Sequence, residues 1–497
     1  MDEHVIVVGG GIGGLCSGIY LLNKGFQVTI VEKNETLGGK INIINDKDFK
    51  FDLTASIVMT PKIYTDVFTD VDKNYKNYFS IMPLSPIYRV FYYDKTYCDF
   101  YSENNKMINE LEKVFPGSSV EFIEFLSKSY KKYYLSKKKF LDRPMIDINE
   151  IINLSSIKSL MEINPLSNTV SYLSRIINNE KIRNYLIFST MYIGVDPYKN
   201  SNIYTLIPAI SHMYGLWYIK GGLYTYIKAL EKLFEEMGGK ILKHITVDKI
   251  IIEDNKIIGV QTERDVLYGD IVVCNADYPY AISNLIEDKY IEKRYTKKKI
   301  ENMEYSCSVF ILYLGLDKIY KNLKVHNMYL CKNFKESIEG AFEGRIPDEL
   351  SLYIYYASAI DNSFRENNTS SMNIMLRVPN LSFDNIKYDK KTIIQIRDKI
   401  IKTLKNIKGL EDIENHIKYE NYLTPKTLRK NYNDYYGNAF GLSHKLSQSI
   451  YFRPHIKSEK VKGLYFIGSS THPGNGASVV IGGSKVLSNL IEKDYKK

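Results

Sequence analysis

A β-branched run, His4–Val8, leads straight into Gly9-Gly10-Gly11-Ile12-Gly13-Gly14. An apolar stretch of helical period follows (Ile12, Leu15, Ile19, Leu22) and ends at Gly25, before a second β-rich run over 27–32. Strand, tight turn, helix and strand make a βαβ unit, whose crossover is right-handed. The glycines satisfy G-x-G-x-x-G, with Gly18 one helical turn further on. In such a loop the first glycine permits the turn, the second lets backbone approach a pyrophosphate, and the third lets helix pack closely on strand. The pyrophosphate sits at the helix N-terminus, where free N–H groups and the dipole favour negative charge. Glu32 closes the second strand, where a carboxylate reaches a ribose hydroxyl. The expected fold is therefore α/β (α+β overall), with a Rossmann-like dinucleotide site at the N-terminus.

The loop does not separate NAD from FAD, but two later segments do. Gly38-Gly39-Lys40 offers a second place of close backbone approach just beyond Glu32. Near the other end of the chain, GLYFIGSSTHPGNGASVVIGGSK supplies a strand, a glycine-rich loop and a helix start. A cofactor touched by both chain ends is long and centrally buried, which suits FAD.

The 5–23 and 463–484 runs contain no Asp, Glu, Lys or Arg, and neither does 200–219. About 20 apolar residues suffice to cross a bilayer. These runs, however, carry many glycines, Pro208, His212 and Pro473, and none is read as a span. The remaining composition is ordinary for a globular protein, at 44% hydrophobic and 25% charged, and excludes a disordered or collagen-like chain. A net charge of +10 suggests attraction to an anionic surface, and no nucleic-acid partner is expected. Five cysteines without C-x-x-C spacing give neither a disulfide framework nor a zinc site and fit a cytoplasmic chain. Acidic Asp2 and Glu3 stand where a signal peptide would be basic. The histidines lack metal-ligand spacing, so no metal is expected.

Along the rest of the chain, 118–140 and 150–200 read as helices. A strand over 217–220 precedes a Gly221-Gly222 turn and a helix to Met237, stopped by Gly238-Gly239. Strands with an Asp254-Asn255 hairpin fill 241–274, further strands lie near 305–316 and 351–360, and 479–491 reads as a closing helix. The elements interleave. The expected division is a discontinuous FAD-binding domain over 1–75, 220–285 and 455–497, a substrate-binding domain over 76–110 and 286–454, and a helical, membrane-facing region over 111–219.

The chain resembles the bacterial carotenoid (phytoene) desaturases, most closely those of the C30, dehydrosqualene (4,4'-diapophytoene) type. The resemblance runs nearly end to end. It rests on VVGGGIGGL, EKNETLGGK, FDLTASIVMTPKIYTDVF, SPIYRVFYYD, MYIGVDP, SNIYTLIPAI, GLWYIKGGLYTYIKAL, CNADYPYA, EYSCSVFILYLGLD and GLYFIGSSTHPGNG. The first two are shared by many flavin amine oxidases; the YTLIP…GG and THPG segments are particular to the carotenoid group. The resemblance implies an FAD-dependent enzyme that introduces double bonds into a C30 polyene at the cytoplasmic membrane face. By it, Gly9, Gly11, Gly14, Glu32, Lys33, Gly39 and Lys40 bind FAD. Val247 reaches the adenine, Gly468 and Ser469 face the pyrophosphate or ribityl chain, and Val480 lies near the flavin ring. It also makes 200–219 the wall of a dry tunnel, with Tyr204, Ile207 and Trp217 as substrate contacts; composition alone fits a buried helix and strand equally well. The sequence departs from the family at Thr54-Ala55-Ser56, where Gly-Pro-Thr is usual, and at Ser478, where Pro is usual.

For proton chemistry the sequence offers His472 in the THPG loop and Arg143 in FLDRP, with loop support and a surface position as their plainer readings. The basic helix 128–140 interleaves Lys131, Lys132, Lys137, Lys138 and Lys139 with tyrosines, as a membrane-lying helix does, or a solvated one. Related activities stay open: a terminal-methyl oxidase, a carotene isomerase or a saturase. A flavin-free lipid-binding chaperone resembling the GDP-dissociation inhibitors is disfavoured by the intact glycines and Glu32. The residues do not identify the electron acceptor.

Overall fold

A computed structural model describes residues 3–163, 165–365 and 368–496. His4–Val8 is the middle strand of a five-stranded parallel sheet ordered Lys240–Leu242, Gln27–Val31, His4–Val8, Ile271–Cys274, Leu464–Phe466. Val8 lies opposite both Val31 and Cys274. Val5, Ile6, Val7 and the whole of Ile271–Cys274 are fully buried. That pattern explains the continuous apolar runs: a parallel sheet is covered on both faces, so its central strands cannot alternate.

The helix Ile12–Asn23 crosses one face beside the C-terminal helix Ala477–Tyr495 and the helix Tyr224–Glu236. A Cβ at Gly18 would stand 2.7 Å from the Phe234 ring, so glycine lets these helices approach. The predicted stop after Tyr224–Glu236 is made by Gly238, at φ +87°, whose N–H donates to the Glu235 carbonyl. The expected hairpin joins Val247–Glu253 to Lys256–Thr262, with Asp254 and Asn255 both at positive φ.

A second, seven-stranded sheet takes Tyr88–Tyr92 and Tyr97–Phe100 from the first quarter of the chain. Ser308–Leu316, His326–Leu330, Leu352–Tyr355, Ser370–Val378 and Ile417–Leu423 complete it. Helices Asn104–Val114, Ser119–Ser136, Glu180–Thr190 and Leu206–Tyr214 pack beside it. The stretch 111–219 is not wholly helical. Leu216–Ile219 is a strand between Val58–Met59 and Ile81–Pro83. The parallel sheet, the seven-stranded sheet and the helical segments meet around one cavity.

Among the described residues no helix is long and apolar enough to cross a membrane. All five cysteines are buried and unpaired with one another, and no cluster suited to a metal ion occurs among the described residues.

Candidate active site

At one end the cavity wall is backbone. Gly9 sits at φ +99° and its N–H donates to the Val31 carbonyl (2.8 Å). Gly11, the N-cap of Ile12–Asn23, lines the cavity with Ile12 and Gly13, so the helix start faces inward. Gly14 lies beneath the wall: a Cβ there would stand 2.2 Å from the Gly9 carbonyl oxygen, inside any permitted contact. Gly38, at φ +107°, donates to the Gly10 carbonyl (2.8 Å), which stitches the second glycine turn to the first. Gly39 follows in the same wall.

Glu32 joins these turns. Its Oε2 accepts from the Gly10 N–H (2.8 Å) and its Oε1 from the Asn34 N–H (2.9 Å). Each carboxylate oxygen retains acceptor capacity toward the cavity, where a ribose hydroxyl would lie. Lys33 donates to Asn433 Oδ1 (2.9 Å) and Lys40 pairs with Asp434 Oδ1 (2.7 Å), closing the flank of the cavity. Burial lowers the Lys33 ammonium's pKa and pushes the Asp434 carboxyl up to about 7. Val247, Gly468, Ser469 and Val480 complete this part of the wall.

Sequence reasoning missed four residues that organise this end. Asn275 Oδ1 accepts from the Gly14 N–H (2.9 Å) while its Nδ2 donates to the Ile467 carbonyl (2.8 Å), joining the two chain ends. Asp277, raised by burial, accepts from Ser470 Oγ at 2.5 Å. Asp434 and fully buried Arg453 are the others. The Arg453 guanidinium donates to five carbonyls, those of Leu442, Ser443, Gln448, Ser469 and Thr471, and so holds the C-terminal loop against 442–448. Burial lowers Arg453 to about 10. The CNADYPYA segment, which holds Asn275 and Asp277, is the available signal; Asp434 and Arg453 lie in no motif.

The other end is side chain. Ile57, Tyr88, Phe188, Tyr192, Met328, Tyr353 and Met375 form an apolar chamber opening from the glycine bed. Thr54, Ala55 and Ser56 line the junction. Arg377 is the charged residue of this chamber. Its Nε donates to the Met191 carbonyl (3.2 Å), its guanidinium lies 4.9 Å from the Phe440 ring, and burial lowers its pKa.

Several expected site residues lie elsewhere. Tyr204, Ile207 and Trp217 are not in the cavity wall. The Tyr204 hydroxyl donates to the His444 carbonyl, Ile207 packs into the helical core, and Trp217 Nε1 donates to the Tyr214 carbonyl (2.9 Å). The 200–219 run excludes charge because it is buried or half-buried throughout apart from Tyr214. Even His212 is buried there, held between the Tyr185 hydroxyl (2.8 Å) and the Tyr101 carbonyl (2.9 Å), with burial lowering it to about 4. His472 is also outside the wall. Its Nε2 lies 2.8 Å from the Arg143 carbonyl and burial lowers it to about 4, so it ties the C-terminal loop to 141–145. The Arg143 side chain is exposed. Ser478 sits in the first turn of Ala477–Tyr495, between wall residues Ala477 and Val480.

Residues 12–483 match the flavin containing amine oxidoreductase family. The chain belongs to that family. It is 34% identical over 496 residues to a 4,4'-diapophytoene desaturase (4,4'-diaponeurosporene-forming) of Staphylococcus haemolyticus, covering 99% of both chains. It is 33% identical, again with 99% of each chain covered, to the enzyme of the same name from Staphylococcus aureus strain MRSA252. Solved structures of the same fold include an oxidoreductase from Methanosarcina mazei (TM-score 0.64, 15% identity, covering 98% of this chain and 100% of that one). Another is cyclohexylamine oxidase from Brevibacterium oxydans (TM-score 0.64, 12% identity, 100% of both chains).

FAD is the cofactor of this fold, and the residues present fit it. Any Cβ at Gly9 or Gly38 would be strained and at Gly14 would clash. Two wall residues carry a buried oxygen without a protein partner, Asp434 Oδ2 and Asn475 Oδ1.

Proposed function

We propose that this chain is an FAD-dependent desaturase of a C30 carotenoid precursor, 4,4'-diapophytoene or a close relative. The observation that carries the reading is one cavity with two materials, a glycine bed at one end and an apolar chamber at the other. The relatives' printed substrate fits the apolar end. Bound FAD supplies the hydride acceptor that a CH2–CH2 beside a polyene requires.

The protein's share is positioning and dryness. Gly9, Gly11, Gly39 and Glu32 bind the dinucleotide, with Lys33 and Lys40 braced against Asn433 and Asp434. Tyr88, Phe188, Tyr192, Met328 and Met375 hold the hydrocarbon and exclude water from the reacting carbons. In this reading the residues around the parallel sheet form the cofactor-binding part and the seven-stranded sheet forms the substrate-binding part.

We also infer peripheral association with the cytoplasmic face of a membrane, from which an insoluble polyene is drawn. Tyr130, Tyr134, Met161 and Leu166 are exposed, Leu166 to 86%, and they support this contact better than the lysines do. Lys132 is buried: it donates to Asn202 Oδ1 (2.8 Å), lies 3.8 Å from the Tyr172 ring centroid, and is lowered by burial to about 8. Lys131 pairs with Glu162 and Lys137 with Asp142.

Expression in cells that make 4,4'-diapophytoene tests the activity. The extracted pigment is expected to show a stepwise longer chromophore. An aldehyde, or an isomer without added conjugation, overturns desaturation in favour of an oxidase or isomerase.

A further inference from the structure

The chamber wall carries a hydrogen-bonded row that nothing above employs. Ser56 Oγ lies 2.9 Å from the Tyr353 hydroxyl, and that hydroxyl lies 2.7 Å from His326 Nδ1. Ser56 and Tyr353 line the chamber at its junction with the glycine bed. His326 stands behind them, 1% exposed, and its Nε2 is buried without a partner. Tyr353 and His326 come from the paired strands Leu352–Tyr355 and His326–Leu330, so the sheet fixes their spacing. Rings of Tyr88, Tyr353 and Tyr355 pack about the imidazole.

We propose that Ser56, Tyr353 and His326 form the proton-accepting row of the desaturation, with Ser56 Oγ meeting the substrate and His326 as the terminal acceptor. The proposal rests on the desaturase reading. Loss of a hydride from one CH2, with both electrons of that bond, leaves a carbocation conjugated to the polyene. The new double bond forms only when the neighbouring carbon releases a proton, its C–H electron pair becoming the π bond. That proton goes to Ser56 Oγ, the serine's own proton goes to the Tyr353 oxygen, and the tyrosine's goes to His326 Nδ1. The net change is one proton gained by His326, with serine and tyrosine restored. This direction requires Ser56 to donate to Tyr353, Tyr353 to donate to a bare Nδ1, and the histidine proton to reside on Nε2. After product leaves, the row runs backward to water entering the chamber.

Two further observations favour this row over its neighbours. Burial lowers His326 to about 3, so water near neutrality leaves it unprotonated, while a C–H beside a carbocation is acid enough to load it. The three carboxylates that line the cavity belong to its glycine end, Glu32 accepting from the Gly10 and Asn34 N–H groups, Asp277 from Ser470 and Asp434 from Lys40, and His472 lies outside the wall.

The test uses FAD-loaded enzyme with 4,4'-diapophytoene in liposomes. Ser56→Ala and Tyr353→Phe are expected to lower desaturation by about 10²-fold, the lower end of what a positioned acid–base group contributes. Ser56→Thr, which keeps the hydroxyl, is expected to retain most activity. FAD content should not change, and the melting temperature should fall by no more than the loss of these buried hydrogen bonds explains. Because hydride loss remains possible, water should capture part of the cation, and mass spectrometry should show a hydroxylated C30 product absent from wild type. In 15N-histidine spectra of the same FAD-loaded protein without substrate, Tyr353→Phe should shift one Nδ1 resonance. A desaturating wild type whose Ser56→Ala variant matches it overturns the row alone. So does a variant that loses FAD and all products in proportion, since that is a structural effect. A wild type that adds no double bond overturns the desaturase reading, and the row with it.

Discussion

At the cofactor end of the cavity the wall is backbone; at the apolar end it is side chain. The first end is built from glycines held 2.8 Å from one another's carbonyls or from Glu32, where even a methyl group meets an oxygen. The second is built from tyrosine, methionine and phenylalanine contributed by segments far apart in the chain, where one side chain can replace another of similar volume. A dinucleotide is bound by fixed N–H groups and needs an invariant shape. A hydrocarbon is bound by excluded water and needs only a dry volume. The two ends should therefore respond to substitution very differently.

The largest effect is expected from Gly14→Ala, which puts a carbon 2.2 Å from the Gly9 carbonyl oxygen. The purified protein should lack flavin absorbance or fail to fold. Gly482→Ala is the control: nothing lies within 4 Å of its Cβ, and a helical glycine-to-alanine change should stabilise slightly, by up to about 1 kcal/mol. A yellow Gly14→Ala protein would break the comparison.

Next comes Asn275→Ala. It leaves the Gly14 N–H and the Ile467 carbonyl without their partner, at a cost of about 3 kcal/mol for two buried groups. Urea denaturation and FAD titration should both report it. A loss under 1 kcal/mol would mean the two chain ends hold together without this side chain.

A smaller effect comes from pH. Burial raises Asp434 from its ordinary 3.8 to about 7, and Asp277 is raised as well. Carboxyls whose folded pKa exceeds the unfolded one contribute stability that is complete below about pH 4 and is lost as pH rises toward 7. Melting temperatures of FAD-loaded protein should therefore fall over that interval, less steeply in Asp434→Asn. An identical slope in the variant would place the titration elsewhere. The smallest expected effect is at the membrane. Replacing Tyr130 and Tyr134 with Ser should reduce sedimentation with anionic liposomes more than replacing Lys131, Lys137, Lys138 and Lys139 with Gln. The reverse ranking would return the anchor to the lysines, and no change in either would remove this helix from the membrane.

The same contrast explains what could be read from sequence. The glycine bed is local: turn, helix start and acid lie within 9–32, so spacing alone exposes it. Asn275 lies in the CNADYPYA segment and Asp434 and Arg453 in no motif, but all three act on residues that only the fold brings near. Absence of charge in 200–219 signals burial but not what the buried surface faces. There the expected tunnel wall is core packing around a neutral His212. Lys132 shows the converse, a lysine in a basic run that spends its charge inside the protein. In the sequence Ser56 stands out only as part of a departure from the family, and its link to Tyr353 and His326 depends on two strands of the second sheet.

One measurement reaches the central claim, that one cavity sets a flavin against a polyene. Purified FAD-loaded protein is mixed anaerobically with 4,4'-diapophytoene in liposomes, and a single absorption record follows both chromophores. The account predicts that the flavin's visible band bleaches in step with the appearance of longer-wavelength polyene bands. New polyene bands without bleaching, or bleaching without added conjugation, would contradict it.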